Sequence, residues 1–147
     1  DTNAIGVAMT LQAAAAVPRV HAFIVVQRLE NLRRSGRIGA AASWLGTALA
    51  VKPLLRIEDG ALVLSARVRT TSKATAAMIE QVLEVVGERR AALAVQHVDT
   101  PAGAAEVAAT LASALPACGP PLVTDLGPVL GVHLGPGALG VVLELAG

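Results

Sequence analysis

Aromatic side chains are nearly missing from this chain: among 147 residues there is no Tyr, one Phe and one Trp, and a single Cys accompanies them. Phe23 and Trp44 therefore cannot form an aromatic core, and the interior has to be built from Ala, Val and Leu. Cys118, having no partner, excludes an internal disulfide, and no basic, apolar, small-residue leader opens the sequence. Both observations favour a cytoplasmic protein. Charge is scarce too: 12 basic against 11 acidic side chains leave a net +1, which gives no electrostatic case for nucleic acid, held mainly through phosphate neutralisation. Long unbroken apolar runs are also missing. The stretches 4–17 and 126–147 are interrupted by Gln12 or by Pro, Gly, His and Glu, short of the roughly 20 residues a spanning helix needs. No stable membrane insertion is expected.

What is present is 54% hydrophobic side chains, which excludes a disordered or polyelectrolyte chain and fits one compact domain. The chain opens at Asp1 rather than Met, directly into apolar sequence, so further residues are expected upstream. Residues 4–16 combine strong helix formers with almost no turn residues and predict a helix that Pro18 ends. The β-branched run 20–26 predicts a buried strand. QRLENLRRSG then sets Leu29 and Leu32 on one helical face with Gly36 as a C-cap. A second helix is expected over 38–50, with Ile38, Ala41, Ala42, Leu45 and Leu49 at spacings of three and four and Lys52-Pro53 stopping it. Glu58-Asp59-Gly60 between two aliphatic runs predicts a β-hairpin, whose second strand alternates Leu62, Leu64, Ala66 and Val68 against Val63, Ser65, Arg67 and Arg69.

Thr71 or Ser72 is placed to cap a helix running to Val86, with Ala74, Met78, Val82 and Val85 inward. A strand at 91–98, a helix opened by Thr100-Pro101 and a strand at 122–126 make a βαβ unit with a right-handed crossover. A last strand is expected over 139–145. Hairpin and crossover together predict an α/β fold with a mixed β-sheet and flanking helices.

Few residues carry obvious chemistry. GPGALG at 135–140 matches G-x-G-x-x-G, but its glycines precede a final strand instead of opening a helix after a first one, which argues against a dinucleotide site. No Cys/His spacing points to a metal, and no nucleophile stands on a recognisable elbow. Arg33, Arg34 and Arg37, with Arg28 nearby, are able to grip an anion, although a solvated helix face is the better account of the run taken alone. Arg37 follows Gly36, beyond the helix end, and is the one expected to point inward. His133 lies in LGPVLGVHLGPG, read as a glycine-rich loop where backbone turns sharply and approaches a ligand closely. His21 begins one strand and His97 ends another.

RLENLRRSGRIGAAASWLGTALAVKPLL, the hairpin ending in ARVRT, and the closing LGPVLGVHLGPGALG resemble, in order and separation, the DegV family of bacterial fatty-acid-binding proteins. The resemblance covers about residues 20–145, as the C-terminal α/β domain, and makes residues 1–19 a remnant of the N-terminal domain and inter-domain helix. It implies one long-chain fatty acid lying between two domains, with no other cofactor, and its carboxylate presented to an ATP-dependent fatty acid kinase subunit. On that resemblance Arg37 would neutralise the carboxylate, His133 would donate a hydrogen bond, Thr2 would supply a hydroxyl, and Gly135 and Gly137 would bring backbone to the ligand. Leu134 stands where the family often has Thr. Two other readings remain: an enzyme using Arg37 and His133 on a small anionic substrate, and a regulatory or interaction domain that has lost lipid binding.

Overall fold

The computed structural model describes residues 2–37 and 52–147. The helix expected over 38–50, with Trp44, lies outside the described residues. Helix α1 (Thr2–Ala16) leads through a short 3-10 turn at Val17–Arg19 into strand β1 (Val20–Val25). Helix α2 (Glu30–Arg34) is followed, past the undescribed segment, by β2 (Lys52–Glu58) and β3 (Ala61–Val68). Then come α3 (Thr71–Val86), β4 (Ala91–His97), α4 (Pro101–Ala114), β5 (Leu122–Asp125), α5 (Gly127–Leu134) and β6 (Leu139–Leu145). The strands form one six-stranded sheet in the order β3-β2-β1-β6-β4-β5. Every pairing is antiparallel except β4 with β5, the crossover pair. The mixed α/β class read from the hairpin and the βαβ unit is the observed one.

Local chemistry explains the hairpin and the starts of α3 and α4. Asp59 and Gly60 both take positive φ, 50° and 76°, as a two-residue turn matched to strand twist requires. Thr70, one residue before the expected cap, is extended and accepts from the Lys73 amide at 3.2 Å, opening α3. Thr100 precedes α4 as expected, yet its hydroxyl makes no cap bond. Its own amide instead donates to His97 Nδ1 at 3.3 Å.

Alternation along each strand sorts side chains onto two faces. On one, Phe23, Val25, Leu93, Val95, Val141 and Leu143 meet Ala74, Met78, Val82 and Val86 of α3 and Val107 and Leu111 of α4 in the main core. At roughly 25 cal/mol per Å² of buried apolar area this layer is the principal source of stability. The inward set of α3 ends on Val86, with Val85 only partly buried. On the other face Val26, Leu32, Leu55, Leu134 and Ala138 form a smaller cluster under α2 and α5.

The second hairpin strand departs from the expected alternation. Leu54 pairs with Ala66 but Leu55 with Leu64, so Ser65 is an extra residue and the register shifts there. This β-bulge turns Leu62 and Leu64 toward the α2/α5 cluster while Ala66 and Val68 pack on the main core. Four residues that share a face in an unbroken strand are thereby divided between both.

Candidate functional site

The α2/α5 side of the sheet is covered only in part. Aligned cross-strand partners Leu64, Leu55, Ile24, Gly140, Gln96 and Thr124 make one row across it, and Ala22, Val142, Ala94 and Leu122 make the next. Leu55 and Gly140 are buried, Ile24, Ala22, Val142, Ala94 and Gln96 are half-buried, and Leu122 is 64% exposed. The floor is low at its centre, since Gly140 has no side chain and a Cβ there would stand 3.3 Å from the Phe23 carbonyl oxygen. The result is a shallow, largely aliphatic trough running out from the α2/α5 cluster, with Gln96 and Thr124 its polar members.

The segment LGPVLGVHLGPG is helical over Gly127–Leu134, not the glycine loop expected from its composition. Gly127 takes φ +78° and its amide donates to Asp125 Oδ1 at 2.6 Å; Pro128 then occupies the first turn, where its missing N–H costs nothing. His133 lies in the last turn. The imidazole is half-buried, and its Nδ1 is buried with no hydrogen-bond partner among the described residues. A buried, unpaired ring nitrogen is costly unless something else meets it. Leu134 is buried in the α2/α5 cluster, so this position makes an apolar contact.

Gly135 closes α5 with φ +79°, its amide donating to the Gly131 carbonyl at 2.8 Å, and Gly137 follows with φ +83°. Side chains of this chain approach both glycines. A Cβ at 135 would overlap Asn31 Nδ2, and one at 137 would lie 2.9 Å from Gln27 Cγ. Neither Gln27 nor Asn31 stands out in the sequence, although a Gln directly after a buried strand has its side chain placed by that strand.

Arg37 is exposed and does not point inward as expected: its Nη1 donates to the Ser35 carbonyl at 2.9 Å, while its amide donates to the Leu32 carbonyl at 2.8 Å. The turn sets its direction, but outward. Arg33 and Arg34 are both taken up by the Glu30 carboxylate, as a solvated helix face would have them. Hydrogen bonding from Arg33, then Arg34, lowers the Glu30 carboxyl from 4.5 to about 2. Since α2 packs against α5, the segment carrying Arg37 and the helix carrying His133 share one side of the sheet. Thr2 begins α1, whose described residues are largely exposed and which runs directly into the Val17–Arg19 turn.

The other histidines sit elsewhere. His21 lines a cleft of about 980 Å³ beside α1 and the hairpin. His97 is buried at the end of β4, 3.9 Å from Asp125 Oδ2. Among the described residues no group of three or more His, Cys, Asp or Glu side chains is placed to hold a metal ion, and no helix is long and apolar enough to cross a membrane.

These features define a class: an α/β domain whose mixed sheet is roofed by α3 and α4 on one face and, among the described residues, carries a partly exposed aliphatic trough on the other. The chain belongs to the DegV family, described as "Uncharacterised protein, DegV family", which matches residues 8–145. It is 62% identical over 133 residues to a DegV domain-containing protein of Mycobacterium tuberculosis, covering 90% of this chain and 48% of that protein. A Streptomyces coelicolor DegV domain-containing protein is 43% identical over 123 residues, 84% of this chain and 44% of its own. The chain thus spans about half the length of the curated relatives it matches.

Solved structures agree on the architecture. A DegV family protein from Corynebacterium glutamicum superposes with a TM-score of 0.81 at 30% identity, over 90% of this chain and 50% of that one. DegV, a fatty acid binding protein from Bacillus subtilis, gives 0.79 at 29% identity over 92% and 48%. The fatty acid binding DegV family protein of Streptococcus agalactiae gives 0.83 at 26% identity over 95% and 50%.

Proposed function

We propose that this chain is the sheet-bearing half of a fatty-acid carrier. One acyl chain lies along the aliphatic trough over Ala22, Ala94, Gly140 and Val142, covered by a preceding domain, with residues 1–19 serving as the inter-domain piece. The observation that carries this reading is the likeness to solved proteins described as fatty acid binding, at 26% and 29% identity over more than nine-tenths of this chain. The buried, unpaired Nδ1 of His133 supports it locally, because a ligand carboxylate is the kind of group that would satisfy an imidazole there. Arg37, reoriented from the Ser35 carbonyl, adds a positive charge to the same end, and Thr2 contributes a hydroxyl once the preceding domain fixes α1.

In this reading the protein is non-catalytic, needs no cofactor, works in the cytoplasm, and presents the bound carboxylate to a separate ATP-dependent fatty acid kinase subunit. The aliphatic side chains along the trough floor support a carrier of an alkyl chain.

The test is organic extraction and mass spectrometry of protein expressed from its complete gene. One fatty acid per chain is expected, with occupancy falling about tenfold in His133→Ala and in Arg37→Ala, the loss of a charge-assisted hydrogen bond. A protein that is empty as purified and takes up no added oleate would overturn the carrier reading. Unchanged occupancy in both variants would overturn the site.

A further inference from the structure

Gln27 joins three separate elements. Its Nε2 donates to the Gly137 carbonyl at 3.2 Å, Thr71 Oγ1 donates to its Oε1 at 3.0 Å, and Lys52 Nζ donates to its main-chain carbonyl at 3.2 Å. The chemistry fixes the amide's orientation without ambiguity. A carbonyl only accepts, so the nitrogen must face Gly137, which turns the oxygen to the one hydroxyl able to donate to it. Gln27 is half-buried and lines a cleft of about 500 Å³ with Thr71, Thr100, Gly103, Gly137 and Leu139, at the N-terminal ends of α3 and α4.

We infer that Gln27 is a positioning residue for His133, acting through the Gly135–Pro136–Gly137 turn. The turn is otherwise held by the Gly137 amide on the Val98 carbonyl, 2.8 Å, and by the Gly135 amide on the Gly131 carbonyl, 2.8 Å, with the Ala138 amide 3.4 Å from the Gly135 carbonyl across it. The second of these closes the helical turn that carries His133. Both glycines sit at positive φ with a side chain from the β1–α2 segment against each, Asn31 on Gly135 and Gln27 on Gly137. The bare glycines thus leave room for both side chains, of which Gln27 bonds the turn, and Thr71 ties the Gln27 amide to the start of α3. Moving the Gly137 carbonyl by losing the Gln27 bond shifts the C-terminal turn of α5 and the imidazole on it.

The inference rests on the carrier reading for its consequence, but not for its test. Gln27→Glu keeps the side chain's shape and its acceptance from Thr71, and replaces only the donor to Gly137 with an oxygen that repels it. In protein expressed from its complete gene, Gln27→Glu is expected to weaken oleate binding about three- to tenfold and to move the His133 Cε1–H resonance of the ligand-free protein. Thr71→Val, which frees the amide without adding charge, should give a smaller change of the same sign in both readouts. Thr71→Val also decides the matter if Gln27→Glu fails to fold. An unmoved His133 resonance in the folded variants would overturn the positioning role whether or not oleate binds. Failure of the unaltered protein to bind oleate, with the resonance moving as expected, would overturn the carrier reading alone.

Discussion

Gly137 and Gly36 both lie at positive φ, 83° and 69°, but their surroundings differ. At 137 a Cβ would press on Gln27 Cγ, whereas at 36 no described residue stands within 4 Å. Gly137→Ala meets both backbone strain and a collision, and is expected to cost about 1–3 kcal/mol in chemical denaturation. Gly36→Asn, a residue tolerant of this backbone region, should cost less than Gly137→Ala in the same measurement. Glu30 belongs to the same scale. Its folded carboxyl is depressed from 4.5 to about 2 by Arg33 and then Arg34, so its ion pairs contribute fully above pH 4.5 and are lost as pH falls through about 2. A carboxyl-carbon NMR titration should place the midpoint near that value, and one near 4.5 would mean that the pairs do not persist in solution. Because the group is exposed, Glu30→Gln at neutral pH should hardly move the melting temperature.

At the scale of elements, α3 and α4 are each preceded by a Thr, and the two do different work. Thr70 caps α3 through its hydroxyl, and Thr70→Ala is expected to lower stability by about 1 kcal/mol. Thr100 makes no such bond, so Thr100→Ala should cost clearly less; equal losses in urea titrations would contradict the difference in capping. Burial decides the larger effects. Met78 is fully buried between α3 and the sheet, and Met78→Ala should cost about 2–5 kcal/mol. The β-bulge at Ser65 was invisible to alternation, because Leu62, Leu64, Ala66 and Val68 keep the period of an unbroken strand. Only the partner strand, offering Leu54 and Leu55 to Ala66 and Leu64, shows where the extra residue falls.

For the whole molecule, what matters is that the two faces of one sheet have unequal fates. The α3/α4 layer packs over one; on the other, among the described residues, the apolar cluster gathers around Leu32 and Leu134, and Ala22, Ala94 and Val142 stay part-exposed on the trough floor. Val142→Lys tests the carrier reading at this scale. Its half-buried position lets the ammonium reach solvent, so the melting temperature should change by only a few degrees. The bound fatty acid should fall below a tenth of a mole per mole, since a charge in the trough opposes an alkyl chain. Retention of full occupancy would mean that the acyl chain lies elsewhere.

Much of this was settled locally by the order of residues. Asp59-Gly60 specifies its hairpin turn by backbone preference alone, the spacing of Ala74, Met78 and Val82 names the inner face of α3, and the helix between β4 and β5 is long enough for the crossover that their parallel pairing requires. The motifs around Arg37 and His133 carried the family. Tertiary structure decided what those signals leave open: that β6 returns to the centre of the sheet between β1 and β4, and that LGPVLGVHL winds into a helix despite its glycines. It also turned Arg37 outward, and brought Gln27 and Asn31 against a turn more than 100 positions away. Propensity and period act over a few neighbouring residues, whereas a contact such as Gln27 to Gly137 exists only after the sheet has brought the two ends together.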